Sequence, residues 1–194
     1  HMWAPDVYEG SPTPVVAFLS VASKAAGFAV ILRIFYDAFP LPMLSIEWST
    51  IFAALAALSM ILGNLVAIPQ RNIKRMLAYS TVAHAGYIMV GLAAVTLETP
   101  SGQTALGPSG VLFYLGGYAA MNLAAFSAVI AISNRIDSDH IIDYAGMGRR
   151  APYLAAVLAF SMISLTGIPP TVGFMAKIYV FGAAVSSGLA WLAI

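Results

Sequence analysis

Five long apolar runs constrain this chain more than any other feature. They cover about 14–35, 48–69, 76–96, 109–133 and 152–187. A helix of about 20 apolar residues spans the roughly 30 Å hydrocarbon core of a bilayer, and each run reaches that length. A soluble fold would need polar residues for its surface, yet only 9% of the 194 residues are charged and 60% are hydrophobic. Soluble domains carry roughly 25% charged residues. In hydrocarbon every backbone N–H and C=O must be satisfied inside the chain, so the runs read as helices. The expected fold is an all-α, polytopic transmembrane bundle, one membrane domain over 1–194 with no soluble domain and no internal repeat.

The fifth run is too long for one straight span, and Gly167-Ile168-Pro169-Pro170 interrupts it. Proline has no N–H to donate, and its ring clashes with the preceding turn. A discontinuous helix broken near 167–170 is therefore expected. Such a break persists in a membrane only where protein or a water-filled cavity covers the freed backbone, and transporters use it near the midplane. A plain loop between two short spans is the other reading.

Basic residues orient the helices. Connections alternate sides, so 1–13, 69–75 and 134–151 share one side, with Arg71, Lys74, Arg75, Arg135, Arg149 and Arg150. The opposite side has only Arg33. The six-charge side is placed in the cytoplasm. His140 and the loop arginines read as orientation signals and solvated surface.

Several chemistries are excluded. The chain has no cysteine, so it cannot supply thiolates to zinc or to an iron–sulfur cluster. It shows no Gly-rich phosphate loop, no metal-spaced His/Glu pair and no nucleophile elbow. A net charge of +1 gives no field for nucleic acid. No cofactor and no metal are expected, and the lipid bilayer is the first partner.

The candidates are ionisable residues inside the spans. Lys24 lies near the middle of the first run, too far from either end to reach the interface. A lysine at the centre of a membrane helix costs roughly 2.5 to 3.5 kcal/mol on insertion scales, so it is a functional candidate by default and should face the bundle interior. Burial disfavours the charged form, which suits the residue to exchange protons. A structural ion pair is the rival explanation. No acidic residue lies inside any run, so an acidic partner would have to come from outside this segment. Lys177 follows the double proline by seven residues, about two turns into the second half-helix. If the break lies near the surface, Lys177 merely snorkels. His84 sits mid-run, and its unperturbed pKa of about 6.5 suits a proton relay as well as a simple core hydrogen bond. Tyr114, Tyr118 and Asn122 stand at i, i+4 and i+8 and stack on one helix face. They either line a hydrated path or act as polar glue between helices, and Asn64 is equally open.

Three blocks carry a family resemblance. His1-Met2-Trp3-Ala4-Pro5-Asp6-Val7-Tyr8-Glu9-Gly10-Ser11-Pro12-Thr13-Pro14-Val15 resembles the signature loop of the antiporter-like membrane subunits of respiratory complex I. Asn72-Ile73-Lys74-Arg75-Met76-Leu77-Ala78-Tyr79-Ser80, continuing to His84-Ala85-Gly86-Tyr87, is similar to a second block. Ser164-Leu165-Thr166-Gly167-Ile168-Pro169-Pro170-Thr171-Val172-Gly173-Phe174 with Lys177 is similar to a third. The likeness is strongest to subunit N of bacterial NADH–quinone oxidoreductase. It implies a partial chain of a fourteen-helix antiporter-like fold with two inverted repeats. It also implies that His1, Lys24, His84 and Lys177 form the proton relay, with Lys177 at the exit side. The implied setting is the bacterial inner membrane, beside other membrane subunits of complex I, with redox chemistry elsewhere. Both ends of the chain also look cut, since it opens on a loop and stops inside an apolar run. The rivals are a Na⁺/H⁺ antiporter component of the Mrp type and a purely structural subunit.

Overall fold

The computed structural model describes residues 3–35, 42–95 and 106–193. Among these residues the chain is helical, without strands. Its helices are α1 (Ala4–Gly10), α2 (Thr13–Arg33), α3 (Pro42–Ala67), α4 (Ile73–Val95), α5 (Leu106–Ile136), α6 (Met147–Arg150), α7 (Pro152–Thr166) and α8 (Val172–Ser186). α2 to α5 each contain a stretch long and apolar enough to cross a membrane, whereas α7 and α8 are shorter apolar helices. Prolines in the first turn start α1, α2 and α7, where the missing N–H is one the helix cannot use. Asn72 caps α4: its side-chain oxygen accepts from the N–H of Lys74 at 2.9 Å and of Arg75 at 3.3 Å.

α4 and α5 form the centre. In α4, 72% of the apolar window is buried, against 22% in α3, which lies outside it. Small residues explain how α3 and α4 come so close. A Cβ on Gly63 would stand 2.7 Å from the Ala83 nitrogen, and one on Gly86 would stand 3.0 Å from the Ala56 carbonyl oxygen. Lipid gives helices no hydrophobic reason to associate, so close backbone approach and dispersion must hold them. α5 packs against α2, α4, α7 and α8, with Tyr114, Tyr118, Phe126 and Val129 fully buried.

The fifth run is a broken helix, and glycine rather than proline sets its stopping point. α7 ends at Thr166, and Gly167 takes a left-handed conformation at φ 85°. Its N–H bonds Ser164 O at 3.0 Å, while Ile168 N–H bonds Ile163 O at 3.3 Å. That pair of bonds closes a helix C-terminus on a residue with positive φ. Pro169 and Pro170 follow, and α8 restarts at Val172.

The connections at the charged end meet one another. Ile73 N–H bonds Asp139 O and Ile141 N–H bonds Arg71 O, both at 2.9 Å. Arg75 pairs with Glu9 at 2.6 Å and with Asp6 at 3.1 Å. Lys74, read from sequence only as an orientation charge, is buried and pairs with Asp139 at 2.8 Å. Arg75 is likewise paired rather than simply solvated, while His140 is exposed. The three loops assigned to one side are thus joined by ion pairs and backbone bonds.

Burial raises the Asp139 carboxyl, but hydrogen bonds from Lys74 and Ser133 outweigh it and hold the group below its ordinary value. A lowered carboxylate stabilises the fold above its unfolded value of about 3.9, and that contribution is lost as pH falls through the lower folded value. Asp139→Asn is expected to cost about 2 kcal/mol by leaving the buried Lys74 without its counter-charge. Thermal melting of the purified protein at pH 7 checks this, and the deficit against wild type should shrink at strongly acidic pH.

Candidate functional site

α2 presents Lys24 half-buried towards α4 and α5. Its Nζ donates to the Thr81 carbonyl oxygen. The same Nζ is 3.4 Å from the Tyr118 hydroxyl and 4.6 Å from the centre of the Tyr118 ring. A helical carbonyl keeps a second lone pair after its backbone bond, so Thr81 serves the lysine without breaking α4. Thr81 Oγ1 and the Tyr118 hydroxyl are 2.9 Å apart. Among the described residues the partners of Lys24 are therefore neutral groups, the Thr81 carbonyl and Tyr118. Among the described residues neither Lys24 nor Lys177 makes an ion pair.

His84 lies three residues along α4 from Thr81 and is buried. Its Nδ1 is 2.6 Å from the Tyr114 hydroxyl. Its ring centre is 5.1 Å from that of Tyr118 and 5.6 Å from that of Tyr87. Tyr114 and Tyr118, one turn apart on α5, thus bracket the imidazole. Asn122, one turn further, donates to Ser20 Oγ at 2.6 Å. It ties α5 to α2 one turn before Lys24.

On the other side of His84 lies a cavity of about 210 Å³. Asn64, Ser80, His84, Tyr87, Thr166 and Lys177 give it a polar lining. Lys177 reaches it from α8, half-buried. Its Nζ donates to the Thr166 carbonyl oxygen at 2.8 Å and stands 4.5 Å over the Tyr87 ring centre. A water occupies about 30 Å³ of liquid and needs two to four polar partners, so this space has room for several. The arrangement suits proton passage. Imidazole accepts on one nitrogen while donating from the other, and hydroxyls and waters do both.

The structure thus brings Lys24, His84, Lys177, Tyr114 and Tyr118 to one place, and sets Asn122 beside it as a helix–helix link. His1 lies outside the described residues. Thr81 and Tyr87 were not singled out by the sequence reading. Their signal was present, since Thr81, His84 and Tyr87 recur at three-residue steps on one strip of α4.

Known proteins share this architecture. The family model described as NADH:quinone oxidoreductase/Mrp antiporter, TM matches residues 1–194. The chain is 54% identical over 195 residues to NADH-quinone oxidoreductase subunit N of Dehalococcoides mccartyi, covering all of this chain and 40% of that protein. It superimposes on a chain of respiratory complex I from Thermus thermophilus with a TM-score of 0.76 at 35% identity, covering all of this chain and 40% of that one. Against the membrane-bound sulfane sulfur reductase, an archaeal respiratory membrane complex, the TM-score is 0.85 at 26% identity, over 99% of this chain and 38% of that one. The chain spans about two fifths of the length of these relatives. By sequence over its whole length and by fold, this multi-pass membrane chain belongs to the NADH:quinone oxidoreductase/Mrp antiporter transmembrane family.

Proposed function

We propose that this chain is part of a proton-translocating membrane subunit of a NADH–quinone oxidoreductase in a bacterial inner membrane. One observation carries the reading: Lys24, Thr81, Tyr118, His84 and Tyr114 touch in sequence and lead to a polar cavity that ends at Lys177. Protons would pass from Lys24 through the tyrosine and histidine groups, cross the cavity on water, and leave from Lys177. The drive is electrostatic. A charge on one lysine disfavours charge on the next group, because Coulomb energies are large in a poorly polarisable interior. His1 is placed upstream in the same relay by resemblance alone. Redox chemistry is assigned to other subunits, and the neighbouring membrane subunits of the complex are the protein partners.

The test uses the complete complex in sealed vesicles. Lys177→Ala is expected to lower NADH-driven proton pumping by about a hundredfold, the lower end of the range for loss of a positioned proton-transfer group, with assembly on a native gel unchanged. Normal pumping from an assembled variant would reduce the segment to scaffold. The Mrp part of the family favours a second reading, a Na⁺/H⁺ antiporter component. Sodium-dependent pumping in the same vesicles would select it.

A further inference from the structure

Lys177 does not simply project into the cavity; the structure holds it in a built receptor. Three contacts define that receptor. The ammonium nitrogen donates to the Thr166 carbonyl at 2.8 Å, at the C-terminus of α7, where unsatisfied carbonyls concentrate partial negative charge. It stands 4.5 Å over the face of Tyr87, whose ring quadrupole attracts a cation. The stem of the lysine lies across Gly167, where an added Cβ would meet Lys177 Cδ at 3.0 Å, Nζ at 3.2 Å and Cε at 3.3 Å. Tyr87 is itself held in place. Asn64 donates to its hydroxyl at 3.3 Å, and Phe181 packs edge-on at 5.9 Å between ring centres.

Resting on the proton-relay reading above, we propose that Tyr87 is a positioning residue whose ring face, with the Thr166 carbonyl and the bare Gly167, latches the charged Lys177 side chain. The latch discriminates between protonation states. An ammonium gains from both the ring face and the carbonyl dipole, whereas a neutral amine keeps little of either. Once Lys177 releases its proton on the exit side, the neutral amine is free to turn towards His84 and accept the next from the cavity. Protonation then returns it to the latch. Tyr87 thereby ties the position of the side chain to its charge, which a lysine held only by packing would lack.

The experiment compares Tyr87→Phe, Tyr87→Leu and Lys177→Ala in the complete complex in sealed vesicles, scoring assembly, NADH oxidation and pumping across pH. Phenylalanine keeps the ring face and loses only the hydroxyl; leucine removes the face. Tyr87→Phe is expected to pump within about twofold of wild type. Tyr87→Leu is expected to lose about tenfold, the scale of a desolvated cation–π contact. In Tyr87→Leu the alkaline limb of the pumping profile should also move down by about one pH unit, since a tenfold loss corresponds to one unit. A packing role alone does not move that limb. If Tyr87→Leu pumps like Tyr87→Phe with an unmoved profile while Lys177→Ala abolishes pumping, the latch is wrong and the relay stands. If Tyr87→Phe loses as much as Tyr87→Leu, the hydroxyl matters and the ring latch is overturned. If Lys177→Ala pumps normally, the relay falls and the latch with it.

Discussion

Lys24→Met is expected to abolish pumping while making the protein more stable. The two effects have one cause. Lys24 places a cation in the middle of α2, where its direct partners among the described residues are the neutral Thr81 carbonyl and Tyr118. A lysine at the centre of a membrane helix costs roughly 2.5 to 3.5 kcal/mol on insertion scales, and neutral partners return only part of that. Methionine fills similar space without the charge. Melting of the assembled complex should therefore rise, while the proton path loses a relay group and pumping falls by about a hundredfold or more. Stability exchanged against function in this way marks a residue kept for its chemistry. Lys24→Arg separates charge from proton exchange. A guanidinium stays protonated at every accessible pH, so it preserves the cation but cannot cycle. Its pumping should be as low as that of Lys24→Met. Normal pumping in Lys24→Arg would show that only a fixed charge is needed at this position. A fall in assembly equal to the fall in pumping would make Lys24 a structural residue.

Gly173→Ala should be the most damaging glycine-to-alanine substitution among the described residues. α8 starts so close to the end of α7 that a Cβ on Gly173 would collide with the Ser164 carbonyl oxygen and lie 2.9 Å from its carbon. Met121 Sδ closes the remaining side at 3.0 Å. The main obstacle is backbone, which cannot rotate away, so the two half-helices must separate. Overpacking of this kind costs typically 1–3 kcal/mol, and more where backbone must move. Lys177 lies one turn beyond Gly173, so the separation also carries the lysine off the Thr166 carbonyl. Assembled complex on a native gel is expected to fall sharply, and pumping per assembled complex should fall with it. Gly182→Ala is the control. It sits on the same helix with nothing within 4 Å of the added carbon, so its higher helix propensity should leave stability equal or up to about 1 kcal/mol better. If the two alanines behave alike, the close α7–α8 approach does not bear on the fold.

Much of this protein is readable without coordinates because the bilayer leaves few options. Apolar runs of spanning length must be helices, since hydrocarbon offers no partner for a free N–H or C=O. The same reasoning singles out Lys24 and Lys177 as candidates, because an ionisable residue in such a run is costly. Gly167-Ile168-Pro169-Pro170 marks a break for local reasons that need no tertiary context. The residues Tyr114, Tyr118 and Asn122 show their shared face through spacing alone.

What the sequence could not decide is who meets whom. Lys24 finds Thr81 and Tyr118, 57 and 94 residues away, and no periodicity reports which faces of α2, α4 and α5 turn together. Lys74 looked like one more orientation charge, yet it is buried against Asp139 because the loops after α3 and α5 fold onto each other. Tyr87 shares a strip of α4 with His84, but nothing in its spacing says that α8 lays Lys177 over its ring. Solvent and backbone satisfaction act on each segment alone, so composition and spacing record them. Pairing depends on helix rotation and depth, which small residues such as Gly63, Gly86 and Gly173 permit but do not spell out; only the packed bundle decides them.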